Sequence, residues 1–103
     1  MNKEELSLLL FLECRAVDYA GRVEIVHMNT EDMKIAERWN EEGFVKFGRI
    51  ASEYLSENES HWCQLSDEAW QIAATERRAR AERLWIKRLW KTIEEKRNEQ
   101  ISI

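Results

Sequence analysis

Hydrophobic positions recur along this chain at two different periods, and the places where the period changes divide it into elements. Between residues 3 and 20, Leu6, Leu9, Leu10, Cys14 and Val17 fall at helical spacing and predict a first helix. Leu8, Phe11 and Leu12 widen that stripe well beyond one face. A helix apolar on most sides is buried from more than one direction, so this one is expected at the centre of the domain or shared with another copy. Glu4 and Glu5 oppose the positive end of the helix dipole, and Gly21 supplies a left-handed stop. Val23 to Val26 is short and β-branched and predicts a small strand. Asn29 or Thr30 then caps a second helix running to about Glu42, with Gly43 as its stop. Met28, Ile35, Ala36 and Trp39 share about a third of its circumference and are assigned to the core.

The period shortens over Phe44–Ile50 and again over His61–Leu65, which predicts two strands. In the second, Trp62 and Gln64 point one way and His61, Cys63 and Leu65 the other. The polar stretch 51–60 joins them as a hairpin loop longer than the usual two to five residues. Ser66 caps a long last helix, predicted to reach about Arg97. At about 100° per residue, Trp70, Ala73, Ala74, Ala81, Leu84 and Trp85 share one face, whereas Ile86, Leu89, Trp90 and Ile93 lie on another, turned by more than 90°. A helix packing on one body keeps one stripe. A stripe that changes side predicts two successive contacts, first with its own domain and then with something else.

Charge sharpens this division. Residues 1–75 hold seven Lys/Arg and fifteen Asp/Glu, a net of −8, while residues 76–103 hold nine Lys/Arg and five Glu, a net of +4. The chain is therefore read as an acidic body over 1–75 continued by a basic C-terminal helix over 76–103. The basic part either neutralises the acidic body, in the same chain or a neighbouring copy, or meets an anionic partner. With 44% hydrophobic residues and five Trp in 103 residues, disorder is not expected. The longest apolar run, Leu8–Leu12, is too short for a membrane span or a secretion signal. Two cysteines without such a signal predict reduced thiols and a cytoplasmic location.

From Trp39 to Ala73 the chain reads WNEEGFVKFGRI, a polar loop, then HWCQLSDEAWQIA. Helix, Gly, strand, loop, strand and a Leu-Ser turn into a helix resemble the second half of a winged helix-turn-helix domain of the MarR-like kind. Gly43 matches the glycine ending the recognition helix, and Leu65-Ser66-Asp67-Glu68-Ala69 matches the turn, with Ala69 where Gly is commoner. The resemblance extends over residues 6–75. It implies an α+β, mostly helical fold with a winged-helix-like core, a β-hairpin wing and a long C-terminal helix, and double-stranded DNA binding through the helix at 30–42 and the wing at 49–61. The residues there carry the opposite charge for that task. The exposed side of the helix holds Glu31, Lys34, Glu37, Arg38, Glu41 and Glu42, and the wing holds Glu53, Glu57 and Glu59 with Arg49 at its base. DNA affinity draws on phosphate neutralisation, which acidic side chains oppose. Only about three residues separate the first strand from Asn29, so the helix that normally precedes a recognition helix has no room.

Candidate chemistry is sparse. Cys14, His27, His61 and Cys63 are the residue types of a zinc site but lack its close ligand pairs. A Cys–His nucleophile, Cys63 with His61 or Cys14 with His27, has no orienting group at readable spacing. No catalytic residue, cofactor or metal is therefore assigned. Trp39, Trp70 and Trp85 are placed in the core, while Trp62 and Trp90 are left as interface anchors or stacking platforms. The segment 77–91, RRARAERLWIKRLWK, is basic, amphipathic and Trp-bearing, and suits self-association, nucleic acid or a membrane surface. The expectation is a small regulatory or adaptor module, dimeric through Trp85, Leu89, Trp90 and Ile93, with an acidic docking face of Glu31, Glu37, Glu41 and Glu42. The alternative is a DNA-binding regulator using Arg77, Arg78, Arg80, Arg83, Lys87 and Arg88. In its small, charge-rich, proline-free composition the chain is also similar to accessory proteins of phages and mobile elements.

Overall fold

A computed structural model describes residues 1–51 and 60–101, with side chains to residue 98. The elements run α1 (Lys3–Asp18), β1 (Arg22–Val23), a 3-10 turn (Ile25–His27), α2 (Thr30–Glu42), β2 (Val45–Arg49), β3 (His61–Leu65) and α3 (Asp67–Ile101). The three strands form one antiparallel sheet in the order β1-β3-β2. The fold is α+β and mostly helical, with the long C-terminal helix that the hydrophobic pattern predicts.

Local chemistry explains the boundaries. Asn2 caps α1 by accepting a hydrogen bond from the Glu5 backbone N–H at 2.8 Å, and Asn29 caps α2 the same way through Asp32 at 2.8 Å. Gly43 ends α2 at φ +74°. The first strand is shorter than expected. Two β1 residues already use the far end of β3, Arg22 opposite Trp62 and Val23 opposite His61. Ile25 and Val26, with no strand left to pair, enter the 3-10 turn and face solvent. That turn occupies the short gap before Asn29. The hairpin loop expected over 51–60, with Glu53, Glu57 and Glu59, lies mostly outside the described residues.

One core joins α1, α2, the inner face of the sheet and the start of α3. It contains Leu8, Leu9, Leu12, Val23, Met28, Ile35, Ala36, Trp39, Val45, Phe47, Cys63, Leu65, Ala69 and Ala73. Trp39 is only 2% exposed and meets Phe44 edge to face, ring centres 5.3 Å apart. Val17 lies outside this core, about 100° round the helix from Ala16, which packs against it.

The first stripe of α3 also differs from expectation. Ala69, Ile72, Ala73 and Glu76 face the body, whereas Trp70, Ala74, Ala81, Leu84 and Trp85 do not. Alanines at 69 and 73 let α3 lie close to the rest of the core, and an indole in their place would hold the helix off. Trp70 instead borders a shallow cleft with Ala16, Gly21 and Leu65. Trp39 is thus the buried tryptophan of the body, while Trp70 and Trp85 are 38% and 64% exposed.

Gly21 and Gly43 separate two causes of glycine dependence. Both have positive φ, but a Cβ at Gly21 would sit 2.7 Å from the Cys63 carbonyl oxygen, while one at Gly43 meets nothing within 4 Å. Gly43→Ala should therefore cost about 1 kcal/mol, the usual left-handed penalty, and Gly21→Ala at least about twice that, because the β1–β3 register must shift as well. Urea unfolding of the two variants checks the ranking, and equal losses would contradict it.

Candidate interaction site

The site begins where α3 leaves the body. Arg77 makes an ion pair with Glu13 of α1, and its Nη2 donates to the Leu10 carbonyl at 3.1 Å. The Glu13 side chain is almost fully buried there. Three residues on, Arg80 donates to Ser7 Oγ at 3.4 Å and to Glu76 at 2.9 Å. Arg83 reaches the same Glu76 oxygen at 3.1 Å. Hydrogen bonds from Arg80 and then Arg83, with their positive charges, hold the Glu76 carboxyl below its ordinary pKa despite some opposing desolvation.

Beyond this point the body falls away. An open cleft of about 620 Å³ between Lys3, Leu6, Ser7, Arg80, Leu84 and Lys87 marks the end of the α1–α3 contact. From Ala81 to Asn98 every residue is exposed. The molecule measures 70 × 29 × 23 Å with a radius of gyration of 19.0 Å, against about 13 Å for a compact domain of this length. The projecting helix carries Leu84, Trp85, Ile86, Leu89, Trp90 and Ile93, all at least 39% exposed and Trp90 60%. The four residues expected to form an interface, Trp85, Leu89, Trp90 and Ile93, lie together on this projection.

The six basic residues suggested for phosphate contacts divide into two groups. Arg77, Arg80 and Arg83 are engaged as above, and Arg78 donates to Glu82 at 3.0 Å. Lys87 and Arg88 make no ion pair among the described residues. On α2, Glu31, Glu37, Glu41 and Glu42 are all exposed. Of the two bases among them, Lys34 pairs with Glu31 at 3.6 Å, and Arg38 is drawn to Glu5 at 2.8 Å and to Glu42 at 3.9 Å. Glu37 and Glu41 are left as an unneutralised acidic surface among the described residues.

The residue types of a metal or nucleophile site do not converge. Cys14 Sγ donates to Asp18 at 3.5 Å, Cys63 Sγ donates to the Leu12 carbonyl at 3.5 Å, and His27 pairs with Glu24 at 3.2 Å. Ser60 Oγ and His61 Nδ1 share a hydrogen bond of 2.7 Å, and the His61 ring stacks on Phe47. Burial raises the Cys63 thiol to about 11, partly offset by Arg15, so it is a protonated core group near neutral pH. Burial, with a smaller contribution from Arg49, lowers the pKa of His61. Among the described residues, no three His, Cys, Asp or Glu side chains come together as a metal site, and no helix is long and apolar enough to cross a membrane.

Two structural groups escaped the sequence reading. Glu13 and Arg15 are buried on α1, Arg15 donating to the Arg22 carbonyl at 2.7 Å and lying over the Tyr19 ring at 3.6 Å. Charged residues on an otherwise apolar helix gave the available signal. Their partners, separated by up to 64 residues, did not. Comparison with family models, curated proteins and solved structures finds no match to this chain.

The Glu76 shift has a defined pH consequence. A carboxylate held below its ordinary value adds stability above that value and loses it as pH falls towards the folded pKa. The parent should therefore lose more stability than Glu76→Gln between about pH 5 and pH 3. Parallel losses in urea titrations across that range would contradict the role given to Arg80 and Arg83.

Proposed function

We propose that this protein is a non-enzymatic regulatory or adaptor module that acts through protein–protein contacts and self-associates through the distal half of α3. One observation carries the reading: five large apolar side chains, Trp85, Ile86, Leu89, Trp90 and Ile93, stand exposed within nine residues on a part of α3 that the body does not cover. Exposed apolar residues scattered singly need no explanation, but a contiguous ridge on a projecting helix marks a contact surface. Ile86, Leu89 and Ile93 follow the three-then-four spacing of a helix–helix seam. Trp85 and Trp90 flank it, the residue type most often found as an interface anchor. Burying one such aliphatic side chain is worth about 1.5–3 kcal/mol, and a symmetric pair buries each twice. The acidic face of α2 stays outward in such a pair, available to a basic partner.

A second reading has its own support. A helix, short strand, turn, helix and hairpin, with the first strand beside the last in the sheet, suit the winged-helix resemblance and hence a double-stranded DNA-binding regulator. Against it, four of the six arginines and lysines it needs are already engaged within the chain, and α2 would meet phosphate with Glu37 and Glu41.

Sedimentation equilibrium at micromolar concentration should give twice the chain mass of 12.4 kDa. Leu89→Glu with Ile93→Glu should weaken association at least ~100-fold, since two buried seam positions become charged, while the thermal unfolding of the body stays near that of the parent. A parent that remains monomeric at tens of micromolar overturns the reading. Duplex binding that falls steeply with salt and is lost in Lys87→Gln with Arg88→Gln would move the assignment to the DNA-binding alternative.

A further inference from the structure

We infer that the open cleft between the start of α1 and α3 is a second binding site, which takes an acidic peptide segment carrying an aliphatic side chain. The cleft holds about 620 Å³, within the range of about 300–1,000 Å³ usual for a bound ligand. Its apolar lining comes from Leu6 of α1 and Leu84 of α3. Leu6 is half-buried at the edge of the body, and Leu84 is 58% exposed. Around them stand Lys3, Arg80, Arg83 and Lys87. These four cations share one lining carboxylate, Glu76, whose Oε1 serves both Arg80 and Arg83. Lys3 and Lys87 make no ion pair among the described residues. The pairing within the chain therefore neutralises one positive charge and leaves a surplus of three at the cleft.

The acids nearby do not cancel that surplus. Glu5 is held by Arg38 at 2.8 Å, and Glu4 is set about 100° round α1 from Lys3. Along α3, Glu82 is taken by Arg78, and Glu94 lies about 10 Å beyond Lys87 along the axis. A recessed apolar floor under surplus cations is complementary to carboxylates that flank an aliphatic group. A duplex supplies phosphates but nothing to cover Leu6 and Leu84. A flat bilayer needs apolar and cationic groups on one outward side. Here the two leucines lie in the corner between two helices, and the larger seam of Ile86, Leu89 and Ile93 is turned about 120° from the body-facing side of α3. Cleft and seam are separate surfaces of α3, so this inference goes beyond self-association and does not need it.

Fluorescence anisotropy of a labelled peptide, Gly-Glu-Glu-Leu-Glu-Glu-Gly, titrated with the full chain tests the site. Binding should saturate and should weaken as salt rises from about 50 to 200 mM. Lys3→Gln with Lys87→Gln should weaken it about tenfold, whereas Lys46→Gln with Lys96→Gln, the same charge change away from the cleft, should alter it less than about twofold. Leu84→Ser should weaken it about fivefold, and so should glycine in place of the peptide's leucine. The substituted positions are all exposed, so the body keeps its fold. Leu89→Ser with Ile93→Ser should leave peptide binding unchanged even where it abolishes self-association, which keeps the two claims apart. No saturable binding below about 1 mM overturns the inference. So does equal loss in the two lysine pairs, indifference to either leucine, or loss of binding in the seam variant. Tighter binding to duplex DNA or to mixed phosphatidylcholine–phosphatidylserine vesicles, lost with Lys3 and Lys87 but indifferent to Leu84→Ser, overturns it in favour of those partners.

Discussion

The ion pair between Arg77 and Glu13 settles where the body ends and the projecting helix begins. It sits near the end of the α1–α3 contact, and a nearly buried carboxylate there cannot be left without its cation at small cost. The Leu10 carbonyl and Ser7 hydroxyl extend the same attachment to Arg77 and Arg80. Upstream of this point α3 is a core helix whose apolar contacts are made by Ala69, Ile72 and Ala73. Downstream it is a rod with arginines paired along its own surface and an apolar ridge on another side.

That attachment also limits what the rod can do alone. The body-facing stripe through Ala69, Ala73 and Glu76 continues towards Arg83 and Lys87, which are polar and line an open cleft. The seam of Ile86, Leu89 and Ile93 is turned by about 120° from the centre of that stripe, with Trp90 between the two. Folding the ridge back onto the body would mean breaking α3 or rotating the Arg77 attachment. The Ile86–Leu89–Ile93 seam therefore stays outside the body's own core.

The same anchoring bears on the basic residues. Counted along the chain they form a positive segment, but much of that charge is spent on Glu13, Glu76 and Glu82. The surface charge of the proximal part of α3 is consequently weaker than composition implies, while Glu37 and Glu41 keep the face of α2 negative.

Most of the architecture could be read from local pattern, because caps, glycine stops and hydrophobic period act over a few residues. The second helix, both hairpin strands and the switch of stripe along the last helix follow from Asn29, Gly43, the alternation in His61–Leu65 and the offset between Ala73 and Ile86. The candidate ridge was legible for the same reason: four apolar residues at helical spacing share a face whatever surrounds them. The end of β1, the exposure of Val17, Trp70 and Trp85, and the burial of Glu13 and Arg15 were not legible. Each depends on a neighbour distant in sequence, whether the finite length of β3, the close approach that Ala69 and Ala73 permit, or the meeting of Arg77 with Glu13. Local order is encoded in short-range sterics and hydrogen bonding, whereas which face is covered is a property of the assembled chain.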